Sequence, residues 1–277
     1  MNTAKTSMNR KLNRLTTLLI LAIFSASATP MFAQQYEVGK NAHSHNDYQQ
    51  TYPFYTAYMH GFASIEVDVF QVGDKFYVAH DEEKIDPRKT IESLYFNPLL
   101  KQIKMNGNNK AYKDGKGLQL MIDFKTSGIP ALKCLEAKLK PIRQYFDVQK
   151  DPNAVRIVIT GETPPPANFK DFDDIFFFDG RRTISYSPEE LKRVAFFSAN
   201  FKDFSKWKGN GKMSMPDSMK VKNFVDSVHQ AGKPVRFWGN PDTQTSWVTF
   251  MKMGIDYLNT DLPAAIARFL KQHGKLD

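Results

Sequence analysis

The chain alternates short strand-like runs with amphipathic helical stretches along most of its length, and this alternation limits its possible folds more than any other feature. Nine runs are strand-like: VGKNAH, SIEVDVF, KFYVAH, LQLMIDF, VRIVIT, DIFFFD, VAFFSA, PVRFWG and DYLNTD. Stretches with helical spacing lie between most of them, such as YPFYTAYMHGF, GIPALKCLEAKLKPIRQYF, SPEELKRV, DSMKVKNFVDSVHQAGK, TQTSWVTFMKMG and LPAAIARFLKQHG. Strands that alternate with helices are joined by crossovers and lie parallel, so the pattern predicts an α/β protein.

The run KFYVAH differs from the others because only the short turn VGDK separates it from the strand before it. This spacing predicts an antiparallel hairpin partner instead of another crossover strand. Eight βα units and one hairpin together predict a single (β/α)8 TIM barrel with a small β-hairpin insertion after strand 2. The length of 277 residues suits one barrel, and no Gly-rich phosphate loop follows any strand-like run.

Residues 1–33 differ from the rest and predict a signal peptide, which leaves a barrel domain over residues 34–277. Four basic residues precede the apolar run LTTLLILAIF, and small residues follow it in SASATPMFA. The apolar run is too short to span a bilayer. The predicted cleavage follows Ala33, with Ala28 as the second choice and an uncleaved anchor as the alternative. We therefore expect an exported protein, periplasmic or extracellular, with no transmembrane segment in the mature chain.

The charge of the mature chain is modest. Four of the 38 Lys and Arg, and none of the 29 Asp and Glu, lie in residues 1–33, so cleavage lowers the net charge from +9 to +5. No Arg-rich arm or basic and aromatic stripe occurs, so we expect no nucleic-acid binding and a small anionic substrate. Cys134 is the only cysteine and cannot form an intrachain disulfide, and its spacing with neighbouring leucines predicts the buried face of a helix.

Acidic and histidine side chains fall at the ends of several predicted strands. The first run ends in AHSHND, the hairpin ends in His80, and the following barrel strand carries Asp123 and Lys125 at its end. The carboxyl ends of barrel strands meet at one rim, so these side chains should lie close together. Glu66 and Asp68 stand two apart in SIEVDVF and therefore point to the same side of their strand.

Three of these acids, Glu66, Asp68 and Asp123, predict a metal site. Carboxylates that point into a barrel mouth repel one another and are costly to bury unless a cation joins them. Three hard oxygen ligands, with positions left for water and a phosphate, suit Mg2+ or Ca2+. The sequence therefore predicts one of these divalent cations at the rim.

The order of the motifs resembles a known group of enzymes. A histidine is followed by G-x-x-S-I-E-V-D-V, V-A-H-D, D-F-K, R-F-W-G-N and G-I-D-Y-L-N-T-D-L-P, from Asn41 to Leu270. This order resembles the phosphatidylinositol-phospholipase-C-like phosphodiesterase superfamily and is most similar to the glycerophosphodiester phosphodiesterases. The H-R-G and E-N-T motifs of those enzymes are absent, and the third acid is an aspartate, which is similar to the spider sphingomyelinase D branch.

The resemblance implies roles for individual residues. Glu66 and Asp68 correspond to metal ligands, and His80 corresponds to a catalytic histidine. The other catalytic histidine is ambiguous, because His43 matches the motif while His45 has the better spacing to Glu66. We take His43 as catalytic and His45 as a substrate contact. The remaining implied substrate contacts are Lys125, Trp238 and Asn240.

The implied reaction is cleavage of a small phosphodiester or of a phospholipid head group. Two histidines can act as base and acid near neutral pH, while the cation and Lys125 stabilise charge on the phosphoryl oxygens. By the resemblance, we expect a cyclic phosphodiester intermediate. Arg181 and Arg182 follow a strand-like run and either hold a substrate anion or are solvated at the surface.

Two other functions remain open. A non-catalytic exported barrel could bind a phosphorylated ligand through the same residues. An amidohydrolase-type metal hydrolase could use His43-x-His45, although no later strand-like run ends in a histidine.

Overall fold

In the computed structural model, which describes residues 35–107 and 109–275, a parallel sheet closes into a barrel. The strands are β1 (Ala42–Ser44), β2 (Ser64–Val72), β3 (Lys75–Val78), β4 (Gln119–Phe124), β5 (Arg156–Gly161), β6 (Phe176–Arg181), β7 (Val194–Asn200), β8 (Val235–Trp238) and β9 (Leu258–Thr260). Eight strands follow the order β8-β7-β6-β5-β4-β2-β1-β9, and a parallel bridge between Arg236 and Tyr257 joins the two ends. β3 lies off this path and pairs antiparallel with β2. The predicted (β/α)8 TIM barrel with a hairpin insertion after strand 2 is confirmed.

The helices lie along the chain between the strands. They are α1 (Val38–Asn41), α2 (Tyr55–Met59), α3 (Asn97–Asn106), α4 (Gly128–Leu139), α5 (Pro188–Lys192), α6 (Met215–Gln230), α7 (Gln244–Met253) and α8 (Pro263–His273). Local sequence explains where several of them begin. Ser187 forms a capping box with Glu190 at the start of α5, and Thr243 forms one with Ser246 at the start of α7.

Side chains alternate between the two faces of the barrel strands. Ile65, Val67 and Val69 of β2 are completely buried in the main core, whereas Glu66 and Asp68 between them point into the barrel. A separate apolar cluster occupies the interior, formed by Met121, Val158 and Phe196. Met121 precedes Asp123 by two residues on β4 and pairs with Glu66 of β2, so this cluster lies one layer below Asp68 and Asp123 and level with Glu66.

The described structure departs from the sequence prediction in two places. The first four residues of VGKNAH form α1, because the backbone N–H of Asn41 donates to the Glu37 carbonyl at 2.8 Å, and only the end of the run continues into β1. α3, a stretch that the sequence analysis did not identify, lies in the crossover between the hairpin and β4. The predicted signal peptide, residues 1–33, lies outside the described residues. Within residues 35–107 and 109–275, no helix is both long and apolar enough to cross a membrane.

Candidate active site

A cavity of about 450 Å³ opens at the carboxyl ends of the barrel strands. Seven of the nine predicted site residues line it: His45, Glu66, Asp68, His80, Asp123, Lys125 and Trp238. His43 and Asn240 do not line it. The barrel therefore gathers most of the predicted polar residues at one rim.

The three acids form a tight cluster. One oxygen from each of Glu66, Asp68 and Asp123 lies within 4.8 Å of the others. Lys125 Nζ donates to Asp68 Oδ2 and to Asp123 Oδ2, at 2.9 Å each. Burial, and then the negative charge of Asp68, raise the pKa of Asp123 to about 6. The acids are thus too close together for all of them to ionise freely without additional positive charge.

Two oxygens of the cluster have no donor. Asp68 Oδ1 and Asp123 Oδ1 are buried, and neither accepts a hydrogen bond from any described residue. A buried acceptor without a partner is costly, and a hard cation would satisfy both oxygens. Gly161 leaves the room that Asp123 needs, since a Cβ at this glycine would lie 2.1 Å from Asp123 Oδ1. The residues present therefore fit the predicted divalent cation.

The hairpin carries His80 to the edge of the acidic cluster. His80 follows β3, and its Nδ1 lies 2.9 Å from Asp68 Oδ2. Tyr48 Oη donates to the same oxygen at 2.9 Å and lies 3.4 Å from His80 Nδ1. The His80 side chain is 55% exposed, so the ring is open to a ligand in the cavity.

His45 lies at the cavity wall just beyond β1. Its Nδ1 is 2.8 Å from Asp261 Oδ1, and the backbone N–H of Asp261 donates to Asp242 Oδ2 at 2.8 Å. Burial lowers the pKa of His45, but the hydrogen bond with Asp261 and the charge of Glu66 outweigh it and raise the pKa above its ordinary value. The ring is therefore fixed in position and readily protonated.

His43 lies beneath the cavity and is completely buried. Ser64 Oγ donates to its Nδ1 at 2.8 Å, and its Nε2 donates to Glu66 Oε2 at 2.7 Å. Burial, and then the charge of Arg236, lower the pKa of His43 to about 4, so the ring is neutral. A group that transfers a proton must reach the substrate, and of the two histidines His45 lines the cavity whereas His43 does not.

The buried state of His43 also bears on the amidohydrolase-type alternative. Both of its ring nitrogens already have partners, Ser64 and Glu66, which leaves no nitrogen free to bind a metal. His43-x-His45 therefore does not present two free ring nitrogens to one metal ion in this arrangement.

Asn240 also lies outside the cavity lining. Its Nδ2 donates to the backbone carbonyls of Asn259 and Pro241, at 3.2 Å and 3.1 Å, and so ties the end of β8 to β9. Trp238, two residues earlier, lines the cavity and is 41% exposed. The indole is therefore available to a ligand.

Arg236 is a site residue that the sequence analysis missed. Its Nη1 donates to Glu66 Oε2 at 2.5 Å, and its Nε donates to Ser198 Oγ at 3.1 Å. Burial alone would raise the pKa of Glu66, but Arg236 and the hydrogen bond from His43 keep it well below its ordinary value. Arg236 stands two residues before Trp238 in a strand-like run, and side chains two apart in a strand share a face. This spacing is the sequence signal that could have placed Arg236 in the site.

Asp179 is a second missed residue, at the end of β6. It is only 8% exposed, and Thr160 Oγ1 donates to its Oδ2 at 3.0 Å. Its Oδ1 is buried without a hydrogen-bond partner among the described residues. Burial raises the pKa of Asp179 to about 6. Strongly perturbed carboxylates of this kind are typical of functional cavities.

Comparison with known proteins identifies the family. A model of the AIM6-like phosphodiesterase domain matches residues 34–179, just over half of the 277 residues. The chain belongs to this family. The AIM6-like match spans the acidic cluster, His45 and His80, while a model of the glycerophosphoryl diester phosphodiesterase family matches residues 234–264, which include Arg236 and Trp238. These matches support a phosphodiesterase.

The individual relatives share about a quarter of their residues with this chain over the matched regions. The chain is 27% identical over 255 residues to the altered inheritance of mitochondria protein 6 homolog of Arthroderma benhamiae, covering 79% of this chain and 80% of that protein. It is 26% identical over 300 residues to altered inheritance of mitochondria protein 6 of Kluyveromyces lactis, covering 83% and 72%. A solved structure, a putative glycerophosphoryl diester phosphodiesterase from Silicibacter pomeroyi, is similar with a TM-score of 0.49 and 14% identity, covering 88% of this chain and 99% of that one.

Proposed function

We propose that the protein is a phosphodiesterase that requires a divalent cation, Mg2+ or Ca2+, and cleaves a small phosphodiester or a phospholipid head group. One observation carries the proposal: three carboxylates and two accessible histidines converge on one cavity. The AIM6-like family match supports the reaction class. From the composition of the first 33 residues we also propose that they are an export signal and that residues 34–277 form the catalytic domain, active in the periplasm or outside the cell.

Glu66, Asp68 and Asp123 would hold the cation. A bound divalent cation supplies positive charge that stabilises the phosphoryl oxygens as they become more negative during the reaction. Lys125 adds a positive charge beside Asp68 and Asp123. His43 and Arg236 both hydrogen-bond Glu66 Oε2 and would orient this carboxylate toward the cation.

His45 and His80 would move the protons. Each ring turns Nδ1 toward a carboxylate, Asp261 or Asp68, and within the described part of the chain neither Nε2 has a hydrogen-bond partner. His80 would accept the proton of the attacking hydroxyl, which belongs to the substrate or to water. His45, whose pKa Asp261 raises, would donate a proton to the departing alcohol oxygen as its bond to phosphorus breaks.

The test measures release of product from a panel of phosphodiesters in Mg2+, Ca2+ or EDTA. The panel contains glycerophosphodiesters, lysophospholipids, phosphatidylinositol and bis-p-nitrophenyl phosphate. We expect turnover that EDTA abolishes and that His45→Gln and His80→Gln each lower by about 100-fold or more, the usual contribution of acid–base catalysis. His60→Gln, a histidine outside the cavity, is the matched control and should retain activity.

His43→Gln tests whether His43 has a structural role. It should lower the midpoint of thermal unfolding because His43 is buried, whereas His45→Gln should leave that midpoint near the wild-type value. Turnover that persists in EDTA, or in both cavity histidine variants, would refute the mechanism. Folded protein that binds phosphodiesters with Mg2+ but turns none over would instead be the binding barrel.

A further inference from the structure

The positive side chains of the cavity fall into two groups. Lys125, Arg236, Arg181 and Arg182 all line it. Lys125 is paired with Asp68 and Asp123, and Arg236 is paired with Glu66. In the part of the chain that the structure describes, neither Arg181 nor Arg182 has a carboxylate oxygen within 4.0 Å of its guanidinium. Two cations of the cavity are therefore free of the acids that neutralise the other two.

Neutral groups hold both arginines in place. An Nη of Arg181 donates to the carbonyl of Gly161 at the end of β5, and Tyr186 Oη accepts a hydrogen bond from the Arg181 backbone N–H at 3.0 Å. The guanidinium of Arg182 lies 5.3 Å from the centre of the Phe204 ring. A carbonyl and an aromatic ring orient a guanidinium without cancelling its charge, so both groups are ready to bind an anion.

The arginines lie a quarter of the way round the barrel from Asp123. Arg181 ends β6 and Arg182 follows it, two positions round the barrel from β4, which carries Asp123. Neighbouring strands are about 4.8 Å apart, so the backbones of β4 and β6 are about 10 Å apart along the sheet, and Arg181 reaches back to the Gly161 carbonyl on the strand between them. A ligand whose phosphodiester lies at the acidic cluster could therefore place a second group at Arg181 and Arg182.

We propose that Arg181 and Arg182 form an anion subsite that selects phosphodiesters with a second negative group, a phosphate or a carboxylate, on the alcohol portion. The proposal rests on the proposed phosphodiesterase function. Guanidinium groups bind phosphate and carboxylate through paired, charge-assisted hydrogen bonds, which fits this choice of ligand. Asp203, an exposed acid, also lines the cavity and should repel a second negative group on the ligand. Removing its charge should therefore strengthen the preference for the more anionic ligand, which tests the proposal in the opposite direction.

Two matched pairs of probes isolate the second charge. Glycerophosphoinositol and glycerophosphoinositol 4-phosphate differ by one phosphate, and glycerophosphoethanolamine and glycerophosphoserine differ by one carboxylate. We expect the more anionic member of at least one pair to have a kcat/KM about tenfold higher at low salt, and 0.5 M NaCl to reduce the ratio because both arginines are exposed. The lysophospholipid forms of the same pairs show whether the anion belongs to a soluble ligand or to a lipid head group.

Variants test whether Arg181 and Arg182 cause the preference for the more anionic probe. Arg181→Gln with Arg182→Gln should bring the ratio close to one, and Asp203→Asn should raise it. Arg268→Gln with Lys271→Gln, which removes two positive charges at exposed positions of α8, is the matched control and should leave the ratio unchanged. A ratio near one in the wild type, or a high ratio that the double variant retains, would overturn the subsite.

Binding separates the subsite from the reaction. Calorimetric titration of the His80→Gln variant with each pair gives a ratio of dissociation constants that needs no turnover. Tighter binding of the more anionic probe, lost in the arginine variants, would support the subsite even if no diester is cleaved. Turnover without any difference between the members of either pair would leave the phosphodiesterase standing and overturn the subsite.

Discussion

Asp179 provides a direct test of the electrostatics of the cavity. Its carboxyl group is 8% exposed, one of its oxygens has no hydrogen-bond partner among the described residues, and burial raises its pKa to about 6 from the reference value of 3.8. Between these two pH values the folded protein binds a proton that the unfolded chain has released. The free energy of unfolding therefore falls as the pH rises through this window, and Asp179→Asn should abolish the fall.

The magnitude follows from the two pKa values. A difference of about two units costs the folded state about 3 kcal/mol once the group is ionised in both states, above pH 7. At pH 5 the same two pKa values give a cost of about 1.6 kcal/mol. The stability of Asp179→Asn relative to the wild type should therefore be greater at pH 7.5 than at pH 5.0 by about 1.4 kcal/mol. Effects of the amide that do not depend on pH cancel in this comparison.

Urea unfolding of both proteins at the two pH values, in EDTA, measures this difference. Asp203→Asn is the matched control, because it removes an exposed acid of the same cavity. Its stability relative to the wild type should change much less between the two pH values. An Asp179→Asn effect that is the same at pH 5.0 and pH 7.5 would show that burial does not perturb this carboxyl group.

Three further predictions concern the acidic cluster and its partners. Mg2+ at 100 times its dissociation constant should stabilise the wild type by about 2.7 kcal/mol in thermal unfolding, and an equal shift in Glu66→Gln would contradict the cation site. Arg236→Gln should lower the free energy of unfolding in urea by about 3–5 kcal/mol, because Glu66 is left buried without its ion pair, and wild-type stability would contradict this. Asp261→Asn should lower the pKa of His45, so the limb of the pH profile of kcat/KM that belongs to His45 should move to lower pH, and an unmoved profile would exclude His45 from proton transfer.

Most of the barrel was predictable because its strands carry strong local signals. The apolar run of β4 lies between the polar segments KDGKG and KTSG, and the period-two acids of β2 precede the turn VGDK. α3 was missed although its two buried residues, Leu99 and Ile103, stand four apart, as on one face of a helix. α1 was missed because it is a single turn, closed by contacts between Glu37 and Asn41 that the sequence does not show.

The candidate site was predicted less completely than the fold. Spacing along one strand does not show how far below the rim of the barrel a side chain lies. His43 and His45 point to the same side of the chain, and only the register of β1 against β2 shows that His43 lies level with Ser64, one layer below Glu66. Arg236 begins the motif R-F-W-G-N and Asp179 ends the run DIFFFD, but the sequence does not show which side chain pairs with either. Their partners come from other strands, Glu66 for the first and Thr160 for the second, and are visible only in three dimensions.

The hairpin can change in length at its tip without moving the histidine that it carries. Every barrel strand is held between two neighbours, so a change in its length disturbs both. β3 pairs with β2 from Val78 opposite Val69 to Lys75 opposite Val72, so residues added at the turn extend the two strands away from the acidic cluster. His80 follows the other end of β3, where the backbone N–H of Ala79 donates to the Asp68 carbonyl at 3.3 Å. Two residues added to each strand would therefore lengthen the hairpin by about 7 Å and leave His80 and the metal ligands where they are.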